Sequence, residues 1–560
     1  MKKEKPWLPF YGDVPAEPDV SERSLYGELR DRALLYPNHH ALEYLGAKFT
    51  FSKLIRLIDL AAAALKTEGV RQGDCVTLAL PNVPNAVILF YALNKIGARV
   101  SMVHPLSPPA DLEYYLKKAD SKLAVTLDLF VSKFVEILDN TPAKRLLVVS
   151  VADYLPRAKA LLYALKNKTK VPADARIFHW KGFLSAAPRL PESEPEAEKD
   201  CRDGSVILFS GGTSNMPKGI LLNDYAFNSL AESNRLLSGF GPKDRVIAIM
   251  PIFHGFGLGL CVHTILLAGG TSILIPKFSP ENYIKALIKH EPQFIAGVPT
   301  LFEALLRHPD FKKARFDKLK GAYSGGDLLS PETKSRFDTA LRAQGSPVDL
   351  LEGYGTTECV TGCVLTPAGR YKKGSIGIPI PNMETCIAKV DTIEVLGPNT
   401  EGEICVAGPQ LMLGYLDDWE ATAKALKVHA DGKLWLHTGD HGYMDEDGYL
   451  YYKSRIRRIF KVSGINVYPS QVESILESHP AVARACVLGV PDDYQVTRVK
   501  AFVVLLPPYK ETDALTDELR AYCAERLIKW SVPRTFEFCP KLPTTLVGKV
   551  AYTELERLAK

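Results

Sequence analysis

Apolar positions fall in short runs separated by polar turns, with the rhythm strand, helix, strand. Asp74-Cys75-Val76-Thr77-Leu78-Ala79-Leu80-Pro81 reads as a buried strand leading into a helix to about Gly97, then a strand at Val100-Ser101-Met102-Val103. The same pattern returns from Asp74 to Asp244: Asp244-Arg245-Val246-Ile247-Ala248-Ile249-Met250-Pro251, a helical run, then Thr271-Ser272-Ile273-Leu274-Ile275-Pro276. Asp, Val and Pro recur in register at the front, while Ser101 and Ser272, and Pro105 and Pro276, recur one residue later. The repeat predicts an α/β fold with two stacked βαβ subdomains and a cleft between them.

Other stretches fill in the organisation. Leu258 to Ile275 is the longest apolar run, but Gly259, His263, Gly269 and Gly270 interrupt it, so it reads as a buried helix and strand rather than a membrane span. Residues 186–204, rich in Pro, Glu and Asp, read as an exposed connection. From about Ser375 to Tyr452 short strands and Gly turns predict a smaller β subdomain. Beyond Arg455 the pattern changes to an α+β unit, with a helix from Gln471 to Ser478, strands at 485–488 and 500–504, and a helix from about Asp513 to Ile528. The division expected is a large N-terminal domain, 1–455, and a small mobile C-terminal domain, 456–560. Between Leu155 and Lys170, Leu155, Ala158, Leu161, Leu162 and Leu165 share a helical face among basic residues. Such a helix either packs on its own domain or makes peripheral membrane contact.

Candidate chemistry begins between the strands Val206-Ile207-Leu208-Phe209 and Ile220-Leu221-Leu222. The joining loop, Ser210-Gly211-Gly212-Thr213-Ser214-Asn215-Met216-Pro217-Lys218-Gly219, combines close backbone approach, hydroxyl donors and a lysine, which suits a polyphosphate. It is not a Walker loop, and alone it reads as readily as a hairpin turn. It is not alone. Glu352-Gly353-Tyr354-Gly355-Thr356-Thr357-Glu358 follows a strand, where open α/β sheets bind ligands. Trp435-Leu436-His437-Thr438-Gly439-Asp440 puts a carboxylate on a turn, and a basic stretch from Lys453 to Gly464 follows. Pro543-Thr544-Thr545-Leu546-Val547-Gly548-Lys549 then sets a lone lysine on a glycine hinge. Taken singly, Asp440 reads as a turn cap and Glu358 as a helix-start carboxylate. Their order together carries the signal.

Composition narrows the class. At 560 residues and 46% hydrophobic the chain can bury several cores. Sixty-nine basic against 64 acidic residues, net +5, is too even a balance to imply nucleic acid. Ten cysteines without a C-x-x-C pair read as reduced core thiols of a cytoplasmic protein, and Met1 to Trp7 lacks an apolar signal core.

The motifs in this order resemble the adenylate-forming superfamily of acyl-CoA synthetases, peptide-synthetase adenylation domains and luciferases, most closely the fatty-acyl and related carboxylate–CoA ligases, from about residue 25 onward. The loop departs from the family wording at Gly211 and Asn215. The resemblance implies an ATP-dependent enzyme that joins a carboxylic acid to AMP, releases pyrophosphate and passes the acyl group to coenzyme A. It assigns Lys549 and Thr357 to the α-phosphate and Glu358 to Mg²⁺, with Thr213, Ser214 and Lys218 cradling pyrophosphate. Tyr354, with Gly355 and Thr356 beside it, should stack near adenine, lined by backbone at Gly326 and Asp327. Asp440 and Arg455 should hold the ribose. Arg457 stands at the family's pivot, Ser463-Gly464 would form a pantetheine tunnel, and His254-Gly255-Phe256 would wall the acyl site. His254 reads equally as a satisfied core histidine. Tyr552 stands where many relatives carry Arg. A stand-alone enzyme loading a carrier protein would share every ATP residue, though no G-x-D-S phosphopantetheine site is present.

Overall fold

The computed structural model describes residues 5–166, 171–187, 195–210, 217–277, 279–492, 496–544 and 550–559. The expected α/β body has two large sheets. The first runs in the order Gly414–Tyr415, Gly219–Asn223, Gly204–Phe209, Arg99–Met102, Cys75–Ala79, Ser121–Leu127, Arg145–Val149, Ile177–His179. The second runs Ile378–Pro379, Val364–Leu365, Leu350–Tyr354, Gly321–Ser324, Phe294–Gly297, Arg245–Ala248, Thr271–Leu274, His40–Tyr44, Ala47–Thr50. Strand His40–Tyr44 crosses over to pair parallel with Thr271–Leu274, far away in sequence. One hydrophobic cluster, from Leu25 to Leu450, takes in both sheets. Every residue of the helix Pro84–Lys95 is buried, most of them apolar, while Asn85, Asn94 and Lys95 are paired with Asp153, Asp224 and Asp59.

The internal repeat is visible in hydrogen bonds. Asp74 and Asp244 each accept the N–H of the residue three before, Arg71 at 2.7 Å and Gly241 at 2.8 Å. Their carbonyls then accept the first N–H of the next strand, Arg99 at 2.8 Å and Thr271 at 2.7 Å. The second strands therefore align one residue beyond the Ser101–Ser272 match, because the second copy has the longer connection before its helical run, 249–255 against 80–83.

The run from Leu258 is a π-helical segment, Phe256–Thr264, a short helix, Ile265–Leu267, and the strand Thr271–Leu274. Among the described residues no helix is long and apolar enough to cross a membrane. The connection 186–204 is exposed at Ala186, Pro195, Glu198, Asp200, Arg202 and Asp203, as expected, but is pinned by Lys199, whose Nζ lies 2.5 Å from Asp224 Oδ2 in a buried pair. The helix Arg157–Lys166 leaves Leu161, Leu162 and Leu165 65%, 57% and 64% exposed, so its apolar face is not packed on its own domain.

The β subdomain is a five-stranded sheet of Glu384–Ala388, Gly402–Ala407, Leu434–Met444, Leu426–Val428 and Leu450–Arg455. The C-terminal unit has its own cores, one around Val462, Val487 and Leu519 and one around Cys486, Phe502 and Leu555. It comprises the hairpin Phe460–Val462 and Ile465–Val467, the helix Pro469–Glu477, a three-stranded sheet and the helix Asp513–Ala524, which stops short of the Ile528 expected.

Candidate functional site

A cleft of about 1130 Å³ opens at the carboxyl ends of strands from both sheets. Tyr354, Gly355, Thr356, Thr357, Glu358, Gly326, Asp327, Asp440 and Arg455 all line it.

At one end, Asp440 and Arg455 are cross-strand partners in the hairpin of Leu434–Met444 and Leu450–Arg455. Arg455 Nε lies 3.0 Å from Asp440 Oδ1, and Nη1 donates to the Thr438 carbonyl at 3.0 Å. The Tyr354 hydroxyl donates to Asp440 Oδ2 at 2.6 Å. Burial first, and then the Asp440 carboxylate, push the Tyr354 hydroxyl well above its ordinary pKa, so it stays a donor. Asp440 also raises the pKa of Arg455, which remains a fixed cation. The arrangement is a buried carboxylate braced on two sides, suited to gripping a diol.

At the other end, Lys218 Nζ sits over the Tyr415 ring, 4.4 Å from its centroid. The Tyr415 hydroxyl donates to Glu358 Oε1 at 2.9 Å. Strand Gly414–Tyr415 pairs antiparallel with Gly219–Asn223, which brings Tyr415 beside the exit of the loop. The mouth of the loop is closed by the Ser210 N–H, which donates to the Lys218 carbonyl at 3.1 Å, and by the Lys218 N–H, which donates to the Ser210 hydroxyl at 3.3 Å. Thr213, Ser214 and Lys549 lie outside the described residues.

Between the two ends the backbone is tightly layered. A Cβ on Gly355 would stand 1.3 Å from the Thr361 carbonyl oxygen, and one on Gly255 would stand 1.7 Å from that of Val360. Gly255 is thus a packing glycine and, unlike His254 and Phe256, does not line the cleft. Val360 has φ of +64° and turns the chain so that the Thr361 N–H donates to the Cys359 carbonyl at 2.7 Å. A β-branched residue in that conformation is strained, as is common at functional sites. His254 Nδ1 accepts the Phe256 N–H at 3.2 Å, and burial lowers the nearby His104 to about 4.

From the C-terminal unit, Arg457, Arg484, Val550, Ala551 and Tyr552 reach the cleft. Arg484 Nη2 lies 3.8 Å from Asp327 Oδ2 across the seam. Arg458 stacks over the Tyr552 ring, its guanidinium carbon 3.7 Å from the centroid. Ser463 and Gly464, at φ of +50° and +82°, form the exposed turn of a hairpin and do not line the cleft. The structure therefore does not bring the expected tunnel residues to the nucleotide side.

Sequence reasoning missed Tyr415, Thr438 and Arg484. Thr438 sat inside a motif already noted, and its hydroxyl, which accepts the Asp440 N–H at 3.1 Å, was a findable turn signal. Tyr415 and Arg484 had no spacing signature, since pairing between distant strands places Tyr415 and the seam with Asp327 places Arg484.

Comparison with known proteins decides the family. Residues 29–416 match the family described as AMP-binding enzyme, and residues 471–549 match the AMP-binding enzyme C-terminal domain. The chain belongs to the AMP-binding enzyme family. It is 35% identical over 567 residues to a long-chain-fatty-acid–CoA ligase of Bacillus subtilis (strain 168), covering 98% of this chain and 97% of that protein. It is 33% identical to a long-chain-fatty-acid–CoA ligase of Escherichia coli O157:H7, covering 99% and 98%. The fold superimposes on an anthranilate CoA ligase in complex with anthranoyl-AMP with a TM-score of 0.85 at 24% identity, covering 98% of each chain.

Proposed function

We propose that this member of the family is an ATP-dependent carboxylate–CoA ligase acting on a fatty or related acyl acid. A carboxylate oxygen attacks the α-phosphorus of ATP, giving acyl-AMP and pyrophosphate, and the thiol of coenzyme A then displaces AMP to give the thioester. The relatives that support this reading are named for that activity and match along almost the whole chain. The observation that carries it is the pairing of two grips in one cleft: Asp440, Arg455 and Tyr354 at one end, Lys218, Tyr415 and Glu358 at the other.

No protein nucleophile is required, because the substrate carboxylate is one. The barrier lies in bringing anions together, which calls for placed cations and donors. Asp440 and Arg455 hold the ribose hydroxyls, Tyr354 flanks the adenine beside the Gly326–Asp327 backbone, and Thr357 donates to an α-phosphate oxygen. Lys218, with Thr213 and Ser214, cradles the departing pyrophosphate. The site fits Mg²⁺: it offers one carboxylate, Glu358, already oriented by the Tyr415 hydroxyl, and Mg²⁺ takes few protein carboxylates besides phosphates. When bound, Mg²⁺ neutralises phosphate charge.

Lys549 serves the first half-reaction, and the positions just after it, Val550 to Tyr552, border the cleft. Rotation of residues 456–560 about Arg457 then withdraws it and presents Ser463 and Gly464 to the pantetheine arm. The exposed Leu161, Leu162 and Leu165, with Arg157 and Lys159 on the same helix, support peripheral contact of a cytoplasmic enzyme with a membrane. Flotation with anionic vesicles tests it: Leu161→Glu with Leu165→Glu should abolish co-flotation.

Carboxylate-dependent pyrophosphate exchange, run across acid chain lengths and with and without CoA, tests the function. Exchange without CoA, and thioester formation with CoA for long-chain acids, is expected. Adenylation with no thioester on free CoA would point to a carrier protein as acceptor.

A further inference from the structure

Soft ligands line up across the β subdomain, beside the nucleotide cleft that Glu403 and His437 also line. Cys386 is the direct cross-strand partner of Cys405, and Cys405 is that of His437, so the three share one face of the sheet. His429, just past the strand Leu426–Val428, stacks on Trp435 with ring centroids 5.3 Å apart. Ligand atoms of Cys405, His429 and His437 all lie within 4.8 Å of one another, and these residues are only 0%, 5% and 7% exposed.

Hydrogen bonds orient the two rings toward each other. Glu403 Oε2 lies 2.8 Å from His437 Nδ1, and a carboxylate only accepts, so the proton sits on Nδ1 and the Nε2 lone pair faces the cluster. His429 Nε2 lies 3.0 Å from His437 Nε2 and donates to that lone pair; an ion there would take both Nε2 lone pairs and leave the His429 proton on Nδ1. His429 Nδ1 is buried without a hydrogen-bond partner. Two imidazoles and a thiol converge in an otherwise apolar pocket of Ala388, Ala407 and Trp435. A carboxylate that orients a histidine from behind is the usual outer partner of a metal ligand. Tetrahedral Zn²⁺, with bonds of about 2.0–2.1 Å to nitrogen and about 2.3 Å to sulfur, spaces its ligand atoms roughly 3.3–3.7 Å apart; here the two Nε2 atoms are 3.0 Å apart and all three ligand atoms lie within 4.8 Å.

We infer that the β subdomain holds a zinc-class ion on Cys405 Sγ, His429 Nε2 and His437 Nε2, with Cys386 beside the fourth position. All ten cysteines are free and most are buried, as expected of reduced core thiols; the cluster leaves no mark in the sequence because its members are scattered and only strand pairing gathers them. The ion would be structural. His437 immediately precedes the turn Thr438-Gly439-Asp440, and the Glu403 that orients it also accepts the Gly439 N–H at 2.9 Å. Binding would thus fix the strand that presents Asp440 to the cleft, by ligands separate from Glu358.

The test is cobalt(II) titration of the reduced, chelator-treated full-length protein, with zinc competition. One equivalent of Co²⁺ is expected to bind, giving visible ligand-field bands and a near-ultraviolet thiolate-to-cobalt band, and zinc should bleach both. Cys405→Ser should abolish the thiolate band and His429→Gln should weaken binding, while Glu403→Gln should weaken it by about 10- to 100-fold. Glu358→Gln should leave the spectrum unchanged. Circular dichroism and a retained ATP-dependent thermal shift identify folded variants. Absence of a stoichiometric thiolate band in the wild type, or a band that survives in folded Cys405→Ser, overturns the assignment.

Discussion

The body and the C-terminal unit differ in what holds them. In the body a single hydrophobic cluster unites both sheets and continues to Leu450, in the hairpin that carries Asp440 and Arg455. The C-terminal unit closes on two small cores of its own. Described contacts across the seam are largely polar: Arg484 with Asp327 at 3.8 Å, the Ser470 hydroxyl on the Lys453 carbonyl, and His441 stacked on Tyr468 with centroids 5.4 Å apart. Groups that must keep their geometry are braced by burial. The unit proposed to rotate is tied by contacts water can replace.

The sharpest way to break that contrast is to remove the cation assigned to the moving part. Lys549→Ala should slow acyl-AMP formation by about 10²–10³-fold while sparing attack of CoA on supplied acyl-AMP. Equal loss in both halves, read in single-turnover assays, would remove the assigned role. Next comes the braced side. Asp440→Asn strips the charge that holds Arg455 and Tyr354, and should cost about 10²-fold in kcat/KM for ATP. An unchanged value would mean that this end does not grip the nucleotide.

Smaller effects probe the seam and the core beneath it. Arg484→Gln removes a partly exposed ion pair, so it should shift the ratio of the two half-reaction rates by only about 3- to 10-fold, with Tm nearly unchanged. A loss in both halves would make Arg484 part of the site rather than of the seam. Burial raises Glu352 from 4.5 to about 8, so the fold favours its protonated form. The stability this contributes is fully present below pH 4.5 and is lost as pH rises through about 8. Glu352→Gln should flatten that decline in thermal melts, and an unchanged slope would place the titration elsewhere.

Much of this was legible in the chain. Local patterns announced the strand–helix–strand repeat, and its aspartates do equivalent work at 74 and 244. The motifs around Tyr354, Asp440 and Arg455 converge on one cleft as expected. What was not legible depends on distant pairing. Strand His40–Tyr44 joins the second sheet, Tyr415 is delivered by an edge strand, and Gly255 serves backbone crossing rather than the acyl wall. Ser463 and Gly464 form an exposed turn that does not line the cleft, so the pantetheine role proposed for them requires a rotated pose of the C-terminal unit.

Everything turns on whether the C-terminal unit pivots. Arg457 sits in the short turn Ile456–Arg458 that leaves the body, and proline there fixes φ. Single-turnover measurement of both halves in Arg457→Pro is the direct test. The account predicts acyl-AMP formation close to wild type and thioester formation slowed at least about tenfold, since the change of pose gates the second step. Wild-type rates in both halves would contradict it.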